Sequence, residues 1–263
     1  MYQLHYPEKL RHHVLLSSPH SGTMLPNRVW ETMFPEMAQS LDDTDWHIPN
    51  LYQFYKELDI PFLQAVYHRW VADLNRNPDG QQLYNDGRHI TGLVSDSDFL
   101  GNKIYKEGGE PDQTEVDRRK ELYFYPYHKA IDQLMSIVRE EFGYALLWDA
   151  HSIRRLVPSI RQEPFPDFII GTNSGQSCHP DIQEVVFQHL TRAGYEVQQN
   201  TIFKGGYITR GHGKPDQGLH TIQLEMCKNL YCEDDEITWS ESRGGKMRKL
   251  FSAIFEDLIH LKL

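Results

Sequence analysis

Two histidines sit in surroundings that suit metal chemistry: His20 in Ser18-Pro19-His20-Ser21-Gly22, and His151 in Asp149-Ala150-His151-Ser152. Imidazole is the commonest zinc ligand, and an Asp two residues before His151 is placed to orient its ring. A hydrolytic zinc takes three protein ligands and keeps one position for water. The nearest supply for a third, carboxylate ligand is Asp42-Asp43-Thr44-Asp45, with Asp43 and Asp45 the candidates. The plainer reading of that cluster is a helix N-cap followed by first-turn acids. No His-Glu-x-x-His occurs, so spacing alone does not mark a metal site. Glu225, in Gln223-Leu224-Glu225, is an acid inside a strand-like run. Beside a metal it can take a proton from water as general base and return it to a leaving amine. Its plainer reading is a charge on an edge strand.

Arginines supply a second theme. Asn75-Arg76 reads as an anion clamp, because a guanidinium binds a carboxylate through two parallel hydrogen bonds. Arg154 and Arg155 follow His151, and Arg210 ends Lys204-Gly205-Gly206-Tyr207-Ile208-Thr209-Arg210. Singly, each fits a structural ion pair. Together they suggest a substrate with more than one carboxylate. The Lys204–Gly213 segment, with its glycines, reads either as a flap over such a substrate or as a tight hairpin.

The elements that must hold these residues read as α/β. Short apolar runs at Val14–Ser18, Phe62–Val66, Trp70–Leu74, Tyr144–Trp148, Phe168–Thr172 and Thr221–Glu225 are predicted buried strands. Helical periodicity covers Ile48–Leu58, Gln113–Phe142 with a break near Pro126, Pro180–Ala193 and Met247–Leu261. The expected fold is one domain over residues 1–263: a central mixed, mostly parallel sheet flanked by helices. An irregular loop insertion is expected around residues 77–111. In such sheets ligands bind beyond the carboxyl ends of strands. The predicted strands deliver His20, Asn75 with Arg76, Asp149 with His151, and Glu225 at those ends.

The 37 acidic and 27 basic residues give a formal charge of −10. That balance argues against a nucleic-acid surface or an anionic-membrane anchor. Three scattered cysteines, Cys178, Cys227 and Cys232, form no disulfide framework and fit a reducing cytoplasm. No basic-then-apolar leader and no membrane-length apolar stretch is evident. The expected partner is a small anionic molecule, with the chain a monomer or small homo-oligomer.

The blocks Ser18–Gly22, Asp43-Thr44-Asp45-Trp46, Asp73-Leu74-Asn75-Arg76, Asp149–Ser152 and Lys204–Arg210 together resemble the N-formylglutamate amidohydrolase (deformylase) family. Gly92-Leu93, Tyr125-Pro126-Tyr127-His128, Gly171-Thr172 and Gln223–Glu225 are similar to further family segments, in family order. The resemblance implies hydrolysis of N-formyl-L-glutamate to formate and L-glutamate, in histidine degradation. It also implies kinship with zinc carboxypeptidases and the aspartoacylase and succinylglutamate desuccinylase group, a phosphorylase/hydrolase-like fold. By that kinship His20 and His151 match the zinc-binding histidines, Glu225 the catalytic Glu, and Asp73–Arg76 the substrate clamp. Zinc is expected, though another divalent transition metal accepts the same ligands. The relatives carry an acidic ligand three residues after the first His, where this chain has Thr23, so Asp43 or Asp45 is expected to replace it. Arg76 with Asn75 is expected to hold one substrate carboxylate, and Arg154 or Arg210 the other. The rival readings are deacylation of another N-acyl acidic amino acid, a carboxypeptidase-like hydrolase, and a metal-free binder of acidic amino acids.

Overall fold

The computed structural model describes residues 1–81 and 91–263. Its strands are β1 (Tyr2–His5), β2 (Val14–Ser18), β3 (Phe62–Ala65), β4 (Ala145–Ile153), β5 (Phe168–Gly171), β6 (Val197–Gln199) and β7 (Leu219–Cys227). Its α-helices are α1 (Asn27–Trp30), α2 (Pro35–Ser40), α3 (Ile48–Leu51), α4 (Gln113–Arg119), α5 (Tyr125–Phe142), α6 (Pro180–Arg192), α7 (Tyr207–His212) and α8 (Glu241–His260). The strands form one sheet in the order β1-β3-β2-β4-β7-β5-β6. Strands β3, β2, β4 and β7 run parallel, while β1 and β5 are antiparallel to their inner neighbours. The expected mixed, mostly parallel α/β sheet is the one observed.

Alternation along the strands fixes what each face meets. Leu146, Trp148 and Ala150 of β4 point to a core shared with α3, α6 and α8. There Trp148, Tyr52, Phe251 and Phe255 are fully buried, and the Trp148 and Phe255 ring centroids lie 5.0 Å apart. Losing one such ring costs about 3–5 kcal/mol, so this face holds β4 firmly in place. The opposite face begins apolar, with Ala145 and Leu147 packed under α5. Along that same face the sequence turns polar at Asp149 and His151. From β2 the chain reaches β3 on one side and β4 on the other, which opens a crevice beyond β2 and β4.

Several expectations are corrected. Trp70–Leu74 is not a strand: its residues form turns, with Val71 N–H donating to the His68 carbonyl and Asp73 N–H to that of Leu93. The run is apolar because Trp70, Val71, Ala72 and Leu74 are buried against neighbouring loops, and burial alone looks the same as a core strand. Strands β4 and β7 run nine residues each, so Asp149, His151 and Glu225 lie within strands rather than beyond them. Their backbones still pair, His151 opposite Glu225, and only the side chains leave the core pattern. Pro126 makes no break. It sits in the first turn of α5, where no donor is required of it, after a single π turn over Lys120–Phe124. Ile48–Leu58 shortens to α3 and a 3-10 turn. Lys204–Gly213 is neither flap nor hairpin but carries helix α7, whose Ile208 is buried in the core beneath α5. Of the irregular insertion at 77–111, residues 82–90 lie outside the described residues, and the described remainder holds no helix or strand.

Candidate active site

The crevice is lined from four directions. His20 stands two residues past β2, and the Asp45 backbone N–H donates to the His20 carbonyl at 3.0 Å, tying that loop to it. His151 and Glu225 face each other on the adjacent strands β4 and β7. The turn at residues 73–76 closes another side. Its Tyr67 flank passes so near Gly22 that a Cβ there would lie 2.3 Å from the Tyr67 carbonyl oxygen. The resulting cavity has a volume of about 260 Å³.

Ligand-capable atoms of His20, Asp45 and His151 all lie within 4.8 Å of one another. The Asp45 carboxylate is 3.3 Å from His151 Nδ1 and 3.8 Å from His20 Nδ1. The far ring nitrogens are held from behind. His20 Nε2 meets Asp73 Oδ1 at 2.7 Å, and His151 Nε2 meets Asp149 Oδ2 at 3.0 Å. A carboxylate on one nitrogen fixes the proton there and leaves the other nitrogen's lone pair for a cation, the arrangement found behind metal-bound histidines. All three residues are buried. Asp45, Asp73, Asp149 and Glu225 crowd the same volume, and the buried Arg69 is paired with Asp73. A divalent cation fits both the donor set and this surplus of negative charge.

The two rings differ in their electrostatics. Burial, reinforced by the Arg69 charge and opposed by Asp73, lowers His20 to about 4, so it is neutral and able to donate a lone pair. Burial also works against a proton on His151, but Asp149, Asp45 and Glu225 overcome it and hold this ring well above the usual value. Glu225 is raised to about 8 by burial and by Asp45, with His151 opposing. Asp73 is held well below the usual carboxylate range despite its burial, by Arg69, His20 and Arg76.

The geometry separates the two candidate aspartates. Asp45 joins the histidines. The Asp43 carboxylate instead accepts Trp70 Nε1–H at 2.8 Å and Phe99 N–H at 3.2 Å, and burial raises it to about 6. It anchors two loops and stands outside the cluster. Nor does the segment cap α3, whose N-cap is His47 with no side-chain capping bond.

The arginines also sort themselves. Arg76 lines the cavity and donates to the Thr91 carbonyl and hydroxyl. Arg154 faces a separate groove, paired with Asp42 and, at 3.6 Å, with Glu236. Arg155 pairs with Asp167 at 2.6 Å. Arg210 lies on α7 with its Nε donating to the Gly205 carbonyl at 2.9 Å, and neither it nor Arg154 lines the central cavity. Among the described residues the other arginine lining the cavity is Arg69, which donates to Asp73 Oδ2 at 2.7 Å and lies over the Phe99 ring. Sequence reasoning missed it. It stands one residue before the run predicted as a strand at Trp70–Leu74, and no motif singled it out.

Asn75 is placed in the cavity wall, but its carboxamide is committed to protein partners. Oδ1 accepts Ile208 N–H at 2.8 Å, while Nδ2 is 3.0 Å from His151 Nε2, 3.4 Å from Gln223 Oε1 and 3.5 Å from Asp149 Oδ2. It thus joins α7 to the floor beneath His151. Gly206 makes this possible, since a Cβ there would lie 2.4 Å from the Asn75 carboxamide.

Comparison with known proteins gives the family. The family model described as N-formylglutamate amidohydrolase matches residues 12–232. An N-formylglutamate deformylase of Pseudomonas aeruginosa is 43% identical over 222 residues, 84% of this chain and 82% of the relative. One from Pseudomonas putida is 42% identical over 248 residues, 94% of this chain and 92% of the relative. The crystal structure of an N-formylglutamate amidohydrolase from Ralstonia eutropha superposes with a TM-score of 0.82 at 23% identity, covering 98% of this chain and 97% of that one. The match in sequence runs through every strand that positions the cavity, and the chain belongs to the N-formylglutamate amidohydrolase family.

Proposed function

We propose that this chain hydrolyses N-formyl-L-glutamate to formate and L-glutamate, using a divalent metal held by His20, Asp45 and His151. The observation that carries this reading is the buried His20-Asp45-His151 group, with Glu225 opposite His151 on the neighbouring strand. Two imidazoles and one carboxylate favour zinc. Such a metal supplies Lewis acidity, polarising the acyl carbonyl and making water a better acid. The chain's own groups do the rest. Glu225 takes a proton from the attacking water as the C–O bond forms, then gives it to the nitrogen as the C–N bond breaks. Asp73 and Asp149 keep each ring proton on the nitrogen facing away from the metal. Arg69, buried beside the cluster, is placed to stabilise oxyanion charge, and Arg76 to take a substrate carboxylate. The deformylase names of the relatives support the acyl group and the amino acid. A cytoplasmic place in histidine degradation follows from that substrate.

The test is metal content of protein purified without chelator, measured beside formate release. About one zinc per chain, with activity lost to chelator and restored by metal, is expected. Glu225→Gln is expected to keep the metal and lose roughly 10²–10⁴-fold in rate. A metal-free protein that still releases formate would refute the metal assignment, and a metalloprotein that releases none would refute the substrate.

A further inference from the structure

We propose that Gln223 is a specificity-determining residue whose Nε2 donates a hydrogen bond to the substrate carboxylate farther from the scissile amide. This rests on the hydrolase reading above. Gln223 precedes Glu225 by two residues on β7, so both side chains leave the same face of the strand. Opposite it on β4 is Asp149, and opposite it on β5 is Gly171. The missing side chain at Gly171 lets the backbone of the next turn descend onto the sheet, since a Cβ there would lie 2.6 Å from Gly205 N.

That descent settles which way the amide points. Gly206 N–H donates to Gln223 Oε1 at 2.8 Å, and a backbone N–H can only meet the oxygen. Asn75 is fixed in the same way by Ile208 N–H, so its Nδ2 also faces Gln223 Oε1. The oxygen is therefore held by two donors. Gln223 is 4% exposed, lines the cavity, and its Nε2 has no hydrogen-bond partner among the described residues. A side-chain donor on a cavity wall that no protein acceptor takes up is a recognition group for an acceptor in that cavity.

The spacing selects the acceptor. Two residues along a strand span about 6.7 Å, which separates Gln223 from the proton-transferring Glu225. In an extended N-formylglutamate about 6 Å, five bonds, separate the formyl carbon from the side-chain carboxylate carbon. A group held at Glu225 by its scissile bond thus presents that carboxylate at the level of Gln223. An aspartate side chain falls one bond short.

Gln223→Glu tests this directly, because the new side chain still accepts from Gly206 and Asn75 but turns an acceptor toward the substrate. Formate release is to be followed with N-formyl-L-glutamate and N-formyl-L-glutamine, whose side-chain amide supplies the complementary donor. The expected result is a KM for N-formylglutamate raised at least about tenfold, and a ratio of kcat/KM shifted toward N-formylglutamine by more than that. A parallel loss on both substrates, or no change on either, overturns the assignment, since a structural role moves both alike. Gln223→Met is the second variant, of similar length and without the amide. It is expected to narrow the preference for N-formylglutamate over N-formylnorleucine, and an unchanged preference in folded protein also overturns the assignment. A wild-type protein that releases no formate from any of the three overturns the hydrolase reading itself.

Discussion

Asp73→Asn is the most informative single change to the network behind the metal ligands. Asp73 meets only donors: His20 Nε2 at 2.7 Å and Asn75 N at 2.9 Å on one oxygen, Arg69 Nη2 at 2.7 Å on the other. An asparagine has one oxygen, so in either orientation its amide hydrogens face a buried donor. If the oxygen keeps Arg69, His20 must accept at Nε2, which moves its proton to Nδ1 and removes the lone pair that faces Asp45. If the oxygen keeps His20, the buried Arg69 loses its counter-charge. Breaking a buried pair from one side costs about 3–5 kcal/mol. At roughly 2–4 °C per kcal/mol for a chain of this size, Tm should fall by about 6–20 °C. Loss of the group orienting a ligand histidine should weaken metal affinity about 10–100-fold. Denaturant unfolding and competition with a chelator read the two effects separately. A variant with wild-type zinc affinity, less than about 1 kcal/mol less stable, would refute the reasoning, because it would mean Asp73 neither fixes the His20 tautomer nor balances Arg69.

Other outcomes follow from the same geometry. Asp45→Asn should lose stoichiometric zinc, whereas Asp43→Asn should retain it while lowering stability, because only the second residue bridges Trp70 and Phe99; metal content by plasma emission distinguishes them. Acid should destabilise the fold through its buried histidines. Burial, aided by neighbouring His212, lowers His128 to about 3, and burial lowers His13 to about 4. Below about pH 6.5 the unfolded chain takes protons that these folded rings refuse, so their stability contribution is complete above that pH and is lost as pH falls toward the folded values. At pH 5 the loss from His128 alone is about 2 kcal/mol. Comparing urea midpoints at pH 7.5 and 5 for wild type and His128→Gln measures it, and identical pH slopes would refute the assignment.

The sequence by itself determined the inner strands, because β2, β3, β5 and parts of β4 and β7 are short apolar runs that belong in a covered core. It also offered His20, His151, Glu225 and Arg76 as candidates, although only His20 stands past the end of a strand. The short edge strands β1 and β6 were not legible: each is partly exposed, three or four residues long, and lacks an apolar signature. Nor was the distinction between Asp43 and Asp45. Both are acids in one tetrapeptide, and only the turn between them, with Thr44 donating to the Leu41 carbonyl, sends one carboxylate to the histidines and the other to Trp70. Arg69 and Gln223 became visible for the same reason that Arg154 and Arg210 receded. Whether a charged or amide side chain reaches the cavity is decided by backbone direction and by which partners meet it first, and those partners lie up to 148 residues away.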